Sequence, residues 1–259
     1  MLPPEFPILR LSDDAGHAIE PMGSKPKFWY RHDTLGRCLY KQARPGTGED
    51  WAEKVAAELA EILGLPHAGV ELAEWRDTRG IVSPSFVPEG GDLIHGNEIL
   101  LRVVPGYPGG KPGPRNFYRV PQHTLDVVLA VMAADVVVPP LNWAPPPGIL
   151  DAVGVFVGYL LLDAWIGNTD RHHENWAFVV HAHRGPPRQA SLHLAPTYDH
   201  ASSLGRNEAD EKRQQRLSTM DPGFSVRAYV EKATSALYAR EGDSKPLTTF
   251  DAFAEAARR

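Results

Sequence analysis

Cysteine is almost missing from this sequence: Cys38 is the single thiol among 259 residues. One thiol excludes an intramolecular disulfide framework and fits a reducing, cytoplasmic setting. Positive charge is not in excess either. Lys and Arg total 27 against 32 Asp and Glu, a formal charge of -5, which argues against a protein devoted to coating nucleic acid or an anionic membrane. Met1-Leu2-Pro3-Pro4-Glu5 lacks a basic region and no apolar region follows it, so no export leader is expected. The longest apolar run, Ile149 to Gly167, carries Asp151 and Asp163. A charged side chain at mid-bilayer costs about 2.5–3.5 kcal/mol on insertion scales, so the run reads as a buried core helix. Gly154 and Gly158 within it allow close helix packing. No internal repeat of fixed period is present.

Proline and glycine, by contrast, are plentiful at 24 and 23 residues. Proline clusters at Pro105 to Pro114, Pro139-Pro140, Pro145 to Pro147 and Pro186-Pro187 read as rigid loops. Phe28 to Tyr30 and Arg37 to Gln42 flank Asp33-Thr34-Leu35-Gly36, the pattern of a hairpin. Glu49 to Leu63 places Trp51, Val55, Leu59 and Ile62 at helical spacing, with Gly64 and Pro66 as the stop. Val70 to Trp75 and Gly80 to Val87 read as strands. Beyond a connector near Pro88 to Gly91, Gln122 to Val138 and Ile149 to Gly167 read as buried helices. Trp176 to His181 and Ser191 to Leu194 read as short strands, and Tyr229 to Arg240 and Thr249 to Arg259 as closing helices. The fold class expected is α+β, with a strand-rich lobe over residues 1–90 and a helix-rich lobe over 91–259.

The chemistry concentrates in Gly167-Asn168-Thr169-Asp170-Arg171-His172-His173-Glu174-Asn175-Trp176, between an apolar helix and a strand. Phosphoryl transfer needs a carboxylate to orient the attacking hydroxyl and a nearby oxygen ligand for Mg²⁺. Asp170 and Asn175 offer these from one loop, and Asp199 stands where a second metal-binding carboxylate would follow. The same spacing also suits a loop turn and a cap. A transition-metal site on His172, His173, Glu174 and His200 is the rival, but adjacent histidines rarely share a metal and no H-x3-H or CxxC is present. His172 then organises the loop through backbone or Asp199. In the first lobe, Gly16 to Gly23 with Ser24-Lys25-Pro26-Lys27 offers glycine freedom and cationic donors to phosphate, or forms an ordinary hairpin. Lys41 is an edge residue or a phosphate ligand; as a ligand it needs a carboxylate on the next helix, with Glu53 and Glu58 foremost and Glu49 and Glu61 nearer the ends.

These residues resemble a known family. G-N-T-D-R-H-x2-N-W followed by Tyr198-Asp199-His200 is similar to the HipA-type serine/threonine kinases of bacterial toxin–antitoxin modules. Gly23 to Lys27 is similar to that family's phosphate loop, Glu53 to Leu65 to its glutamate-bearing helix, and Lys245-Pro246-Leu247 through Phe253 to a closing segment. The resemblance covers about residues 15–255. It implies a two-lobed protein-kinase-like fold with ATP and Mg²⁺ in the cleft and Asp170 as catalytic base. Asn175 and Asp199 would hold Mg²⁺, and Lys41 would contact phosphates and pair with Glu53. Gly23, Ser24, Lys25 and Lys27 would cradle phosphate, and the strand end at Phe86 and Val87 would meet adenine.

The resemblance further implies a cytoplasmic enzyme phosphorylating a protein, of which translation factors such as aminoacyl-tRNA synthetases are examples. An antitoxin partner is implied, without direct nucleic-acid or membrane contact. The extra N-terminal subdomain of larger members has no counterpart here, as in short forms whose missing piece a separate protein supplies. Arg171 follows the aspartate, as in phosphoinositide kinases, which keeps a lipid-type kinase as an alternative beside a catalytically silent binding module. Ser24, Ser202 and Ser203 are candidate autophosphorylation sites. The charged segment from His200 to Met220 reads as a solvated helix or loop, or as an activation segment.

Overall fold

Aromatic residues alternating with polar ones build the first sheet. The computed structural model describes residues 6–16, 19–20, 26–108, 120–182, 190–206 and 208–259. Strands β1 (Leu9–Arg10), β2 (Ile19–Glu20), β3 (Lys27–His32) and β4 (Gly36–Gln42) precede helix α1 (Glu49–Ile62), then β5 (Glu71–Trp75) and β6 (Thr78–Pro84). The sheet order is β1-β5-β6-β4-β3-β2, with β1 parallel to β5 and the other pairs antiparallel. Phe28 faces Tyr40 across β3 and β4, and its ring meets Trp75 edge-on at 4.9 Å. Such buried side chains each contribute about 1.5–3 kcal/mol relative to exposure. The expected hairpin is present: His32 Nδ1 accepts from the Thr34 and Leu35 amides, and Gly36 takes the left-handed conformation the turn needs (φ 74°).

Helix α1 exists where periodicity placed it, but it buries another face. Ala52, Glu53, Ala56, Ala57 and Ala60 are inside, whereas Val55 and Ile62 of the expected stripe are exposed. Ala57 meets Val70 and Ile81 of the sheet side, and Ala56 and Ala60 meet Leu162 and Ile166. A helix wedged between two layers needs short side chains, so alanine outranks leucine there.

The rest of the chain supplies β7 (Asp92–His95), α2 (Gly96–Val103), α3 (Leu125–Met132), β8 (Val137–Val138), α4 (Ala152–Ile166), β9 (Ala177–Ala182), β10 (Ala190–Leu194), α5 (Asp210–Ser218), α6 (Val226–Val230) and α7 (Thr249–Ala256). The second sheet has the order β7-β9-β10-β8. The β7–α2 unit had no sequence expectation; its signal is local, since Glu98 Oε1 accepts from the His95 amide at the helix start. The helix expected over Gln122 to Val138 is shorter. Thr124 caps it, and Val137–Val138 instead pairs in parallel with β10. A β-branched run before Pro139 favours extended backbone, which explains the break. The helix expected over Tyr229 to Arg240 likewise stops early. Ser235 Oγ accepts from Leu237 N and bonds the Leu247 carbonyl, competing with helical pairing.

Helix α4 is the support for the site. Asp151 Oδ1 caps it by accepting from Gly154 N at 2.9 Å, and Gly167 ends it in the left-handed conformation (φ 62°, ψ 43°). Among the described residues no helix is long and apolar enough to cross a membrane.

Candidate functional site

The turn at Gly167 releases the chain into a loop whose anchor is Arg171. Its guanidinium is buried and grips the α4 carboxylate of Asp163 through Nε (2.7 Å) and Nη2 (2.8 Å). Nη1 donates to the Asn175 carbonyl (2.7 Å), and Nη2 also donates to Thr197 Oγ1 (2.9 Å). Asn168 shares Asp163 and accepts from the Asp170 amide. One arginine therefore ties the end of α4, the Asp170 loop and the strand leading to Asp199 together. Its charge points inward, and Arg171 does not line the cavity described next.

On that frame Asp170, Asn175 and Asp199 face one cavity of about 430 Å³, together with Lys27, Lys41 and Glu53. Asn175 Nδ2 donates to the Asp170 carbonyl (2.7 Å), which commits the amide end of the side chain and presents its oxygen elsewhere. Asp199 is held in the left-handed region (φ 62°), a conformation aspartate tolerates at modest cost. Lys41 Nζ donates to Glu53 Oε1 (3.4 Å) and Asp199 Oδ1 (3.3 Å). Burial disfavours the ammonium, yet the two carboxylates outweigh it and hold its pKa above the ordinary lysine value. The other carboxylates of α1 pair with other cations: Glu58 with Lys54, Glu61 with His67, Asp50 with Arg79, Glu49 with Arg44 and Arg206.

Of the remaining expected residues, Gly23, Ser24 and Lys25 lie outside the described residues. Phe86 and Val87 do not line the cavity; they pack on Ala177, Val179 and Ala195. Phe86 stacks on Tyr198 at 5.7 Å, and Tyr198 Oη donates to the Glu174 carbonyl (2.7 Å), so the strand end touches the site through the residue before Asp199. Sequence reasoning missed Asp163, Arg44 and Arg206 as site residues. Asp163 had a signal, a lone carboxylate in an apolar helix eight residues before an arginine.

The histidines are structural. His172 Nδ1 accepts from the Glu174 amide (3.1 Å), His173 Nδ1 bonds Tyr107 Oη (2.6 Å), and His200 Nε2 bonds Thr197 Oγ1 (2.8 Å). Burial foremost pushes the pKa of His172 down to about 4 and that of His200 to about 3. Among the described residues no three or more His, Cys, Asp or Glu side chains cluster to hold a metal on their own. Magnesium accepts a site of one carboxylate and one amide oxygen completed by phosphate oxygens, and Asp199 and Asn175 are residues of those types on the cavity wall.

No family model matches the chain, and no curated protein matches it in sequence. Its structure is similar to the crystal structure of CtkA, a proinflammatory kinase of Helicobacter pylori. The TM-score is 0.66 over 90% of this chain and 73% of that one, at 19% identity. The fold is therefore similar to that of the CtkA kinase. A HipA chain from a Shewanella oneidensis MR-1 toxin–antitoxin complex with HipB and operator DNA also aligns, more distantly. It does so at 14% identity and a TM-score of 0.47 over 93% of this chain and 58% of that one. The cavity is lined by residues of the first sheet and α1 on one side and by residues between Asp170 and Arg206 on the other.

Proposed function

We propose that the protein is an ATP-dependent protein kinase that transfers the γ-phosphoryl group to a serine or threonine hydroxyl. The observation that carries the reading is Lys41, clamped by Glu53 and Asp199 in the cavity that also holds Asp170 and Asn175. The division at residues 1–90 and 91–259 belongs to the same proposal, as two lobes with the nucleotide between them.

Asp170 orients the acceptor hydroxyl and receives its proton as the oxygen attacks phosphorus. Lys41 sets its ammonium against the phosphates, and Glu53 holds that ammonium in place. Lys27 adds a second cation, with Gly23, Ser24 and Lys25 forming the rest of the phosphate loop. Asn175 and Asp199 would hold Mg²⁺, which would supply positive charge to offset that of the phosphates. Phe86 and Val87, which do not line the cavity, would bear on the nucleotide only through Tyr198, the residue before Asp199. An antitoxin partner and a cytoplasmic location complete the proposal, resting on the motif resemblance.

The test is transfer from γ-labelled ATP with Mg²⁺, wild type against Asp170→Asn, with the phosphorylated residue read by mass spectrometry. Phosphoserine or phosphothreonine made only by the wild type supports the reading. Absence of nucleotide binding by the folded wild type ends it.

A further inference from the structure

A second cavity, of about 470 Å³, lies between α2, α3 and the second sheet, and it shares no lining residue with the first. Helix α2 offers it Ile99, Arg102 and Val103, which the helical repeat sets on one face. Helix α3 offers Val127, Ala130 and Val131 at the same spacing, followed by Ala134. Alanine at 130 and 134 keeps the space open where larger apolar side chains would fill it. Phe178 of β9 lies at the floor, fully buried, while Val103 and Val136 stand exposed at the mouth. Among the described residues Arg102 is the one polar side chain on the lining. It is exposed, in the last turn of α2, and forms no salt bridge among those residues. Glu98, one turn before it, is occupied in accepting from the His95 amide, and Asp126 of α3 pairs with Arg259.

We propose that this cavity binds a free fatty acid, its acyl chain between α2 and α3 and its carboxylate on Arg102. The inference is independent of the phosphotransfer reading. Small-molecule sites of about 300–1,000 Å³ are mostly apolar, with a few polar groups that fix orientation, and this lining has that composition. The space selects a slender ligand. It would hold roughly one turn of an α-helix about 10 Å across, too little to seat the apolar face of a partner helix. A flexible methylene chain can reach Phe178 and leave its head group at the rim, and it removes the lining from water as it does so. The charge at that rim is a guanidinium, whose planar donors match a carboxylate. A cationic head group would be repelled there.

The experiment titrates sodium dodecanoate into the full chain by calorimetry below the critical micelle concentration, beside decanoate, octanoate and dodecyltrimethylammonium bromide. One dodecanoate per chain is expected, bound about tenfold more tightly than the ammonium. Shortening the acid should weaken binding by about fourfold for each methylene removed. Arg102→Glu, an exposed substitution, should reverse the preference between the two head groups. Ala130→Phe should abolish uptake with an unchanged circular-dichroism spectrum; if that variant does not fold, Arg102→Glu decides. No saturable uptake of dodecanoate by the wild type overturns the inference. So does uptake that both variants leave unchanged, which marks adsorption elsewhere. Self-association of the wild type that Ala130→Phe removes would assign the cavity to a second copy of the chain. Pelleting with phosphatidylglycerol vesicles without uptake of the free acid would assign it to a membrane surface, and either result overturns the proposal.

Discussion

Arg171 and Asp163 form a two-pronged ion pair, at 2.7 and 2.8 Å, that is shielded from solvent on both sides. The pair joins the last turn of α4 to the loop carrying Asp170. Removing one partner strands the other charge in the core, which typically costs about 3–5 kcal/mol. Arg171→Ala and Asp163→Ala should each lower the urea midpoint accordingly. Arg171→Lys should rescue little, because an ammonium cannot reach Asp163, the Asn175 carbonyl and Thr197 together. A wild-type midpoint for Arg171→Ala would contradict this account.

Asp170 is exposed enough to act and is not part of the packed core. Asp170→Asn should keep the circular-dichroism spectrum and thermal midpoint but lose turnover by roughly 10²–10⁴-fold, the usual worth of a positioned base. Retained turnover in the folded variant would remove Asp170 from the role.

Glu53 is predicted to act through Lys41. Lys41→Met should cost about 10²–10³-fold in kcat, the scale for losing one preorganised charge at a transition state. Glu53→Gln should lose less. Glu58→Gln should behave as wild type, since Glu58 pairs with Lys54. Equal losses for Glu53→Gln and Glu58→Gln would show that the clamp is not specific.

Stability should fall in mild acid. Buried His123, His172, His173 and His200 are pushed down to about 3, 4, 4 and 3 from an ordinary 6.5, burial being the first cause at each. Between the folded and unfolded values the unfolded chain binds more protons, so stability rises with pH across that window. The contribution is complete above about pH 6.5 and is lost as pH falls towards the folded values, each histidine adding up to about 1.4 kcal/mol per pH unit. Urea titrations from pH 7 to 4 test this; an unchanged midpoint would mean that these imidazoles are not held neutral.

Much of the site is legible in the order of the amino acids. The apolar run from Ile149 to Gly167 marks α4, the D-x4-N spacing marks the loop, and Asp33 to Gly36 marks the hairpin, because each signal lies within one stretch of chain. Periodicity finds α1 but not its buried face, since alanines that fit between two layers look unremarkable beside leucine. Residue spacing alone does not choose which carboxylate holds Lys41: five lie on the following helix, and the partner from the other side, Asp199, is 158 residues away. The inward aim of Arg171 is equally hidden. Local pattern determined which elements form and what chemistry the chain carries. Packing of elements distant in sequence decided which charges meet, because Coulombic and hydrogen-bond partners are chosen by distances of a few ångströms that only the tertiary fold sets.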